Sequence, residues 1–81
     1  MEIRVTRPAR KHRVGNARIL AAIANADGYF MSRGVRMYIA KDDRGVELEI
    51  GLVPDDKHEG GWSVIHAMPT EYRKKDDRNE G

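Results

Sequence analysis

Two strand-like segments joined by a short turn constrain the fold of this chain more than any other feature. Residues 35–40 and residues 46–53 are both rich in apolar residues. The apolar side chains fall at every second position: Val35, Met37 and Ile39 in the first segment, and Val46, Leu48, Ile50 and Leu52 in the second. This period of two is typical of strands that bury one face. The Asp42-Asp43-Arg44-Gly45 segment between them predicts a hairpin turn, because Gly45 can take a positive φ.

The hairpin also predicts which side chains share a face of the sheet. We expect Lys41 to lie opposite Val46, Ile39 opposite Leu48 and Met37 opposite Ile50. Both apolar sets then face the same side, as a sheet covered by a single helix requires. Glu47 and Glu49 point to the other side. Paired carboxylates can act as an acid/base couple, but alternation on an open sheet face explains these two better.

A short amphipathic helix is predicted before the hairpin. Asn16 is a good N-cap and Asp27-Gly28 is a good stop, so the helix should cover residues 17–26. Its apolar stripe consists of Ile19, Leu20, Ala22, Ile23 and Ala26. A helix of about three turns is too short to be stable alone, so packing on the sheet must stabilise it.

The last predicted strand carries a histidine. Residues 62–68 are rich in strand-forming residues, and Pro69 ends the strand because it has no N–H for the ladder. Alternation predicts Trp62, Val64, His66 and Met68 on one face, and Ser63, Ile65 and Ala67 on the other. His66 is thus held on a rigid element beside a segment, starting at Arg73, that can supply cations.

The order of these elements predicts an α+β fold. Residues 2–6 form a short strand at a sheet edge or an ordered arm, and residues 29–31 are extended. We expect an antiparallel sheet of three to five strands with one main helix packed on one face. Residues 1–75 form a single domain, and residues 76–81 are a charged tail expected to be disordered. The predicted core is Ile3, Val5, Ile19, Leu20, Ile23, Phe30, Met37, Ile39, Leu48, Ile50, Leu52 and at least one of Val64 and Ile65.

Composition excludes several classes of function. The chain has no cysteine, which excludes a disulfide framework, a thiolate zinc site and a cysteine nucleophile. It has no apolar run long enough for a membrane span or a signal peptide, so we expect a cytoplasmic protein without a membrane partner. The three histidines, His12, His58 and His66, lack the short spacings of metal ligands. We therefore expect no metal and no other cofactor.

Positive charge is concentrated at the N-terminus. Residues 1–18 hold six cations and one anion, whereas residues 19–81 hold nine cations and twelve anions. A basic N-terminal segment indicates a polyanionic partner such as nucleic acid, although a solvated basic edge of the sheet gives the same pattern. Lys11, His12, Arg13 and Arg18 crowd the helix start, where free N–H groups and cations can bind a phosphate. Because a cation there opposes the helix dipole, Arg18→Ala should leave the melting temperature unchanged or raise it.

Histidines and cations are the residue types that metal-independent RNA cleavage needs. RNA cleaves itself when its 2′-hydroxyl is deprotonated, the phosphate charge is neutralised and the leaving oxygen is protonated. Histidine titrates near neutral pH, and arginine or lysine can hold the phosphate. His66 and His12 are therefore the candidate catalytic residues, and a purely structural role in the strand is the alternative for His66.

Several short motifs together resemble a known family. They are Lys11-His12-x-Val14 before the helix, Met37-Tyr38-Ile39, the turn Asp43-Arg44-Gly45, the apolar strand at 48–53 and Val64-Ile65-His66-Ala67-Met68. In this order they span most of residues 11–75 and resemble the BrnT-like toxins, in particular a small actinobacterial or phage branch. These belong to the RelE-like ribonuclease toxins of bacterial toxin–antitoxin pairs. The resemblance implies a RelE/BrnT-like fold, growth inhibition and an antitoxin that buries the site.

One position departs from the family pattern. BrnT-like toxins usually end the last strand in serine-alanine-arginine and continue into a basic helix, whereas this chain reads His66-Ala67-Met68. Arg73 or Lys74 would then replace the missing arginine, or the protein binds RNA without cutting it.

We therefore expect a toxin-like protein that binds RNA and cleaves it by metal-independent acid/base chemistry. The predicted catalytic residues are His66 and His12, and the predicted nucleic-acid contacts are Lys11, Arg13, Arg18, Arg73 and Lys74. The alternative is a non-catalytic binding or regulatory protein, of the kind that a phage can encode. Such a protein would dock on a host protein or on nucleic acid. A third interpretation is a homodimer formed through the open sheet face or through the edge at residues 29–31.

Overall fold

A computed structural model describes residues 2–73, which contain five strands and one main helix. The strands are β1 (Glu2–Val5), β2 (Phe30–Ser32), β3 (Val35–Lys41), β4 (Glu47–Pro54) and β5 (Gly61–Pro69), and the helix α1 is Asn16–Asn25. A 3-10 turn, Pro8–Arg10, lies between β1 and α1, and a further helical turn begins at Thr70. The α+β class is confirmed. Lys74 and the predicted tail at residues 76–81 lie outside the described residues.

All five strands form one mixed sheet in the order β1-β5-β4-β3-β2. The pairs β2/β3, β3/β4 and β4/β5 are antiparallel, but β1 is parallel to β5, with Val5 beside Val64. The prediction of a purely antiparallel sheet is therefore wrong at this edge. Thr6 extends the parallel pairing, because its N–H and its Oγ1 donate to the carbonyl of Val64 at 3.0 and 2.7 Å. The chain consequently continues along β5 toward the end of that strand.

The core lies between α1 and one face of the sheet. It consists of Ile19 and Ala22 of α1, Ala9 and Val14 of the preceding segment, and Tyr38, Leu48, Ile50, Leu52, Val64 and Ala67 of the sheet. Most of the predicted core is buried or half-buried. The prediction is wrong for Leu20, Phe30 and Ile39, which are 43%, 51% and 49% exposed. The helix begins one residue earlier than predicted, with Gly15 rather than Asn16 at the N-cap.

The register between β3 and β4 differs by one residue from the predicted register. Lys41 lies opposite Glu47 and Ala40 lies opposite Leu48. The cause is Asp42, whose Oδ1 accepts hydrogen bonds from the N–H of Arg44 and of Val46 at 2.8 and 2.9 Å. These bonds make Val46 part of the turn, so the paired segment of β4 starts at Glu47.

This one-residue difference decides which side chains of β3 meet the helix. Neighbouring residues of a strand point to opposite faces of the sheet. A register shift of one residue therefore moves every side chain of the strand to the other face. Tyr38 and Ala40 therefore pack in or against the core, whereas Ile39 lies on the opposite side, beside Glu49. We call this side of the sheet, away from α1, the far face.

A β-bulge moves His66 to the far face. Gly51 pairs with His66, but the next residue of β4, Leu52, pairs with Val64, so Ile65 is an extra residue in β5. A bulge re-aims the side chains that follow it. Val64 belongs to the core, whereas His66 shares the far face with Gly51. The prediction that His66 and Val64 share a face is therefore wrong.

Arg18 of α1 forms an ion pair with the buried carboxylate of Asp42. Arg18 Nε lies 2.6 Å from Asp42 Oδ2, and the side chain of Asp42 is 0% exposed. Burial raises the pKa of Asp42, but the Arg18 hydrogen bond and the N–H groups of Val46 and Arg44 together bring it below its ordinary value of 3.8. Arg18 thus ties the helix to the turn, and we now expect Arg18→Ala to lower the melting temperature rather than leave it unchanged.

The Asp42 carboxylate should make the stability of the fold depend on pH. Because the pKa of Asp42 is lower in the folded chain than in the unfolded chain, its charge stabilises the fold above the ordinary value of 3.8, and this contribution is lost as the pH falls through the lowered pKa. Asp42→Asn should therefore lower the melting temperature at neutral pH, and the difference from wild type should shrink below about pH 4.

Circular dichroism melts across the acidic range test this prediction. Asp43→Asn is the matched control, because Asp43 is an exposed neighbour in the same turn. A difference between Asp42→Asn and wild type that stays constant from neutral to strongly acidic pH would contradict the assigned role of the carboxylate.

Candidate functional site

Two histidines that are far apart in the sequence meet near the end of β5. The ring centroids of His12 and His66 lie 6.5 Å apart, with the rings nearly perpendicular at 83°. His12 reaches this position because β1 runs parallel to β5 and the 3-10 turn after it lies alongside β5. Tyr72 completes the group, since its ring centroid lies 5.7 Å from that of His12. The structure therefore brings the two predicted catalytic residues together.

Gly51 leaves room for Val35 and Met37 on the far face, beside His66. Gly51 and His66 are cross-strand partners on that face. A Cβ atom at Gly51 would lie 3.0 Å from Val35 Cγ1 and 3.3 Å from Met37 Sδ, which is tighter than ordinary contact, whereas its 3.4 Å distance to His66 Cβ is ordinary contact. The missing side chain in the middle of β4 thus has a packing reason at this site.

Glu49 and Arg73 form a bidentate ion pair beside His66. Arg73 donates from Nε to Oε2 at 2.9 Å and from Nη2 to Oε1 at 2.7 Å. The Glu49 side chain is only 7% exposed, whereas that of Arg73 is 62% exposed. Thr70 Oγ1 similarly donates to Glu47 at 2.8 Å. The two glutamates face away from the core as predicted, and they hold the helical turn that begins at Thr70 against the far face.

The environment of His66 favours its neutral form. Its side chain is 35% exposed, and its Nε2 is buried without a hydrogen-bond partner among the described residues. Nε2 lies 3.9 Å from Glu49 Oε1, too far for a hydrogen bond. Burial is the largest cause that lowers the pKa of His66 below 6.5; Glu49 raises the pKa, while His12 and Arg73 lower it. A neutral imidazole at neutral pH can accept a proton.

The predicted cations fall into different surroundings. Lys11 and Arg13 are exposed on either side of His12, and Arg13 has a left-handed backbone with a φ of 57°. Arg73 lies beside the histidines, but its guanidinium is bound to Glu49. Arg18 is bound to Asp42 on the helix side and does not join the group. Lys74 is outside the described residues.

The site contains three residues that the sequence reasoning did not assign to it: Glu49, Gly51 and Tyr72. Alternation alone explains the direction of Glu49, whereas a carboxylate inside an apolar strand also indicates a buried partner. Its partner, Arg73, could not be identified because the pairing depends on the chain reversing after Pro69. Gly51 in the middle of an apolar strand was a readable signal for a close contact.

The described residues offer little for a metal ion or a membrane. Within residues 2–73, no three histidine, aspartate or glutamate side chains converge in a way that could hold a metal ion. Over the same residues, no helix has the length and apolar character that crossing a bilayer requires.

Comparisons of this chain with protein families, with curated proteins and with solved structures find no match. The resemblance to BrnT-like toxins therefore stays a prediction, and the site has to be interpreted from its own geometry.

The pKa of His66 should respond in opposite directions to two neighbouring substitutions. Glu49→Gln removes the charge that raises this pKa, so the pKa should fall further below 6.5. His12→Gln removes a charge that lowers it, so the pKa should rise. Titration of the imidazole resonances by NMR measures both shifts. The control for both substitutions is His58→Gln, which changes an exposed histidine in the loop between β4 and β5. Equal shifts in all three variants would rule out the described arrangement.

Proposed function

We propose that this chain is a toxin-like protein that binds RNA and cleaves it by metal-independent acid/base chemistry at His66 and His12. The observation that carries the proposal is the approach of the two imidazoles to 6.5 Å between ring centroids. The proposal includes a RelE/BrnT-like relationship, a cytoplasmic location, bacterial growth inhibition and an antitoxin that covers the histidines.

The two imidazoles suit the two proton transfers of RNA cleavage. His66, in its neutral form, takes the proton of the 2′-hydroxyl at Nδ1, since its Nε2 is buried, and the 2′-oxygen attacks the adjacent phosphorus. The bond from phosphorus to the 5′-oxygen breaks, and His12 gives a proton to that leaving oxygen. The products are a 2′,3′-cyclic phosphate and a free 5′-hydroxyl, so no further reactant is needed. Each proton transfer by a positioned side chain contributes typically about 10²–10⁴-fold in rate.

Lys11 and Arg13 supply the charge that this chemistry requires. They flank His12 in sequence and both are exposed. Cations at this position can neutralise the phosphate whose negative charge increases in the transition state. Arg73 is less suited to this role than the sequence suggested, because its Nε and Nη2 already donate to Glu49.

A second candidate function is RNA binding or partner binding without cleavage. The observation that favours it is the state of His66, whose Nε2 is buried, together with the binding of Arg73 by Glu49. In that case the histidines and the Thr70 turn would form a rigid docking surface. The basic residues of the N-terminal segment would make the contacts with the bound RNA or partner. The two functions differ in whether RNA is cut.

Cleavage of RNA by the purified protein tests the catalytic proposal. In the presence of EDTA, a labelled RNA should yield 2′,3′-cyclic phosphate ends. His66→Gln and His12→Gln should each reduce the rate about 10²–10⁴-fold, because each removes one proton transfer. His58→Gln should cleave like wild type. Cleavage at the wild-type rate by a folded His66→Gln protein would remove His66 from the mechanism.

Induced expression in a bacterial host separates the two candidate functions. Growth arrest with loss of RNA supports cleavage. Arrest that persists in His66→Gln without loss of RNA supports the binding protein, and unimpaired growth on wild-type expression would contradict both toxin-like interpretations.

The contribution of Arg13 to RNA binding should appear in the salt dependence. Arg13→Gly suits the left-handed backbone, since glycine takes a φ of 57° without strain, so the fold should be retained. If Arg13 contacts a phosphate, the slope of log affinity against log salt should become shallower by about 1. Arg44→Gln, at the exposed β3–β4 turn, should leave the slope unchanged. Equal slopes for wild type and Arg13→Gly would remove Arg13 from the interface.

A further inference from the structure

A second group of side chains, on the helix side of the sheet, forms a cation–π stack of one arginine and two aromatic rings. The guanidinium of Arg36 lies 4.0 Å from the centroid of the Tyr29 ring and 4.2 Å from that of the Trp62 ring. Arg36 pairs with Leu52 across β3 and β4, which places it on the side of the core rather than on the far face. The stack is therefore separated from His66 by the sheet.

Within residues 2–73, Arg36 lacks the partner that a half-buried arginine normally has. Among residues 2–73, no carboxylate lies within ion-pair distance of Arg36, and its Nε is buried without a hydrogen-bond acceptor. A buried donor without a partner costs free energy, so such groups usually have one. The buried carboxylate of Asp55 does not supply it, because Asp55 is bound to Arg4 at 3.4 Å and to the N–H of Lys57.

Both rings lie within cation–π distance of the guanidinium and restrict its position. The planar N–H fork of an arginine fits the oxygens of a phosphate or a carboxylate. Tyr29 is 51% exposed although its ring also lies 5.7 Å from that of Tyr38, tilted by 51°, so part of the residue remains accessible to a ligand. The chain around the stack has a matching character: residues 28–40 contain two arginines and no acidic residue.

We propose that the Tyr29–Arg36–Trp62 stack is a binding site for single-stranded RNA. Arg36 takes a backbone phosphate with its Nη groups, since its Nε is buried, and a base stacks against Tyr29. Stacking of bases on aromatic side chains, supported by arginine, is the common mode of single-strand recognition. The exposed ring beside a cation favours this ligand over an acidic protein segment, which would use the arginine but not the stacking surface.

This site is distinct from the histidine pair, and it rests on the proposed function only in taking RNA as the ligand. Trp62 and His66 lie on the same strand, but the bulge at Ile65 places them on different faces. RNA bound at the stack would stay on the protein without being cleaved at that site. Binding at the stack and cleavage at the histidines can therefore fail independently.

The fluorescence of Trp62 gives a local signal for binding, because Trp62 is the only tryptophan of the chain. A single-stranded oligoadenylate is titrated into the full-length His66→Gln protein, so that cleavage cannot interfere. We expect saturable quenching. Arg36→Lys keeps the charge but loses the planar fork, and Tyr29→Leu loses the stacking surface, so each should weaken binding about 10-fold or more. The exposed control Arg44→Lys should bind like the parent protein, and Tyr29→Phe, which keeps the aromatic ring, should bind more tightly than Tyr29→Leu.

Three outcomes would overturn the site. One is the absence of quenching at low salt, and another is equal affinity of the parent protein, Arg36→Lys and Tyr29→Leu. The third is quenching by poly-glutamate but not by oligoadenylate, which would assign Arg36 to a carboxylate of a protein partner. Circular dichroism checks that each variant is folded. Because Tyr29 is exposed, Tyr29→Leu is less apt to disturb the fold than Arg36→Lys.

Comparison with cleavage separates this site from the proposed function. Quenching that depends on Arg36, without any RNA cleavage by the wild-type protein, would support the stack and contradict catalysis. Cleavage whose kcat/KM is the same in wild type and Arg36→Lys, without quenching, would support catalysis and contradict the stack.

Discussion

The carboxylate of Asp42 determines on which side of the sheet the groups of β3 lie. Its Oδ1 binds two N–H groups of the turn, which sets the register of β3 against β4. Its Oδ2 binds Arg18 and so ties α1 to the same turn. With a register one residue different, Ile39 would face the helix and Arg36 would lie on the far face, away from Trp62. One buried side chain thus controls the helix packing, the core and the position of the arginine stack.

The histidine pair depends on two further features of the sheet. The bulge at Ile65 turns His66 away from the core, and the parallel direction of β1 leads the chain from Thr6 to His12 along β5. Neither feature alone would bring the two rings together. An antiparallel β1 would carry the basic segment toward the other end of β5, and an unbulged β5 would point His66 to the same side as Val64.

The two faces of the sheet offer different chemistry. The far face has titratable groups, with His66 and the Glu49–Arg73 pair held under the Thr70 turn. The helix side has an aromatic and cationic stack at the edge of the core, around Arg36. Burial affects both sides. It lowers the pKa of His66 on one side, and on the other the Nε of Arg36 is buried with no acceptor among residues 2–73. Residues of both groups lie on β5, so position in the sequence does not separate the groups. They are separated in space because their side chains point to opposite faces of the sheet.

The sequence by itself determined the local elements of this protein. The strand with Leu48, Ile50 and Leu52 on one face, the helix that buries Ile19 and Ala22, and the turn at Gly45, which has a φ of 81°, are confirmed because each depends on nearby residues. The residue types His66 and His12 also identified the candidate site. The register, the bulge and the direction of β1 were decided only in the tertiary structure. They arise from hydrogen bonds between segments far apart in the chain, and a pattern of neighbouring residues does not contain that information.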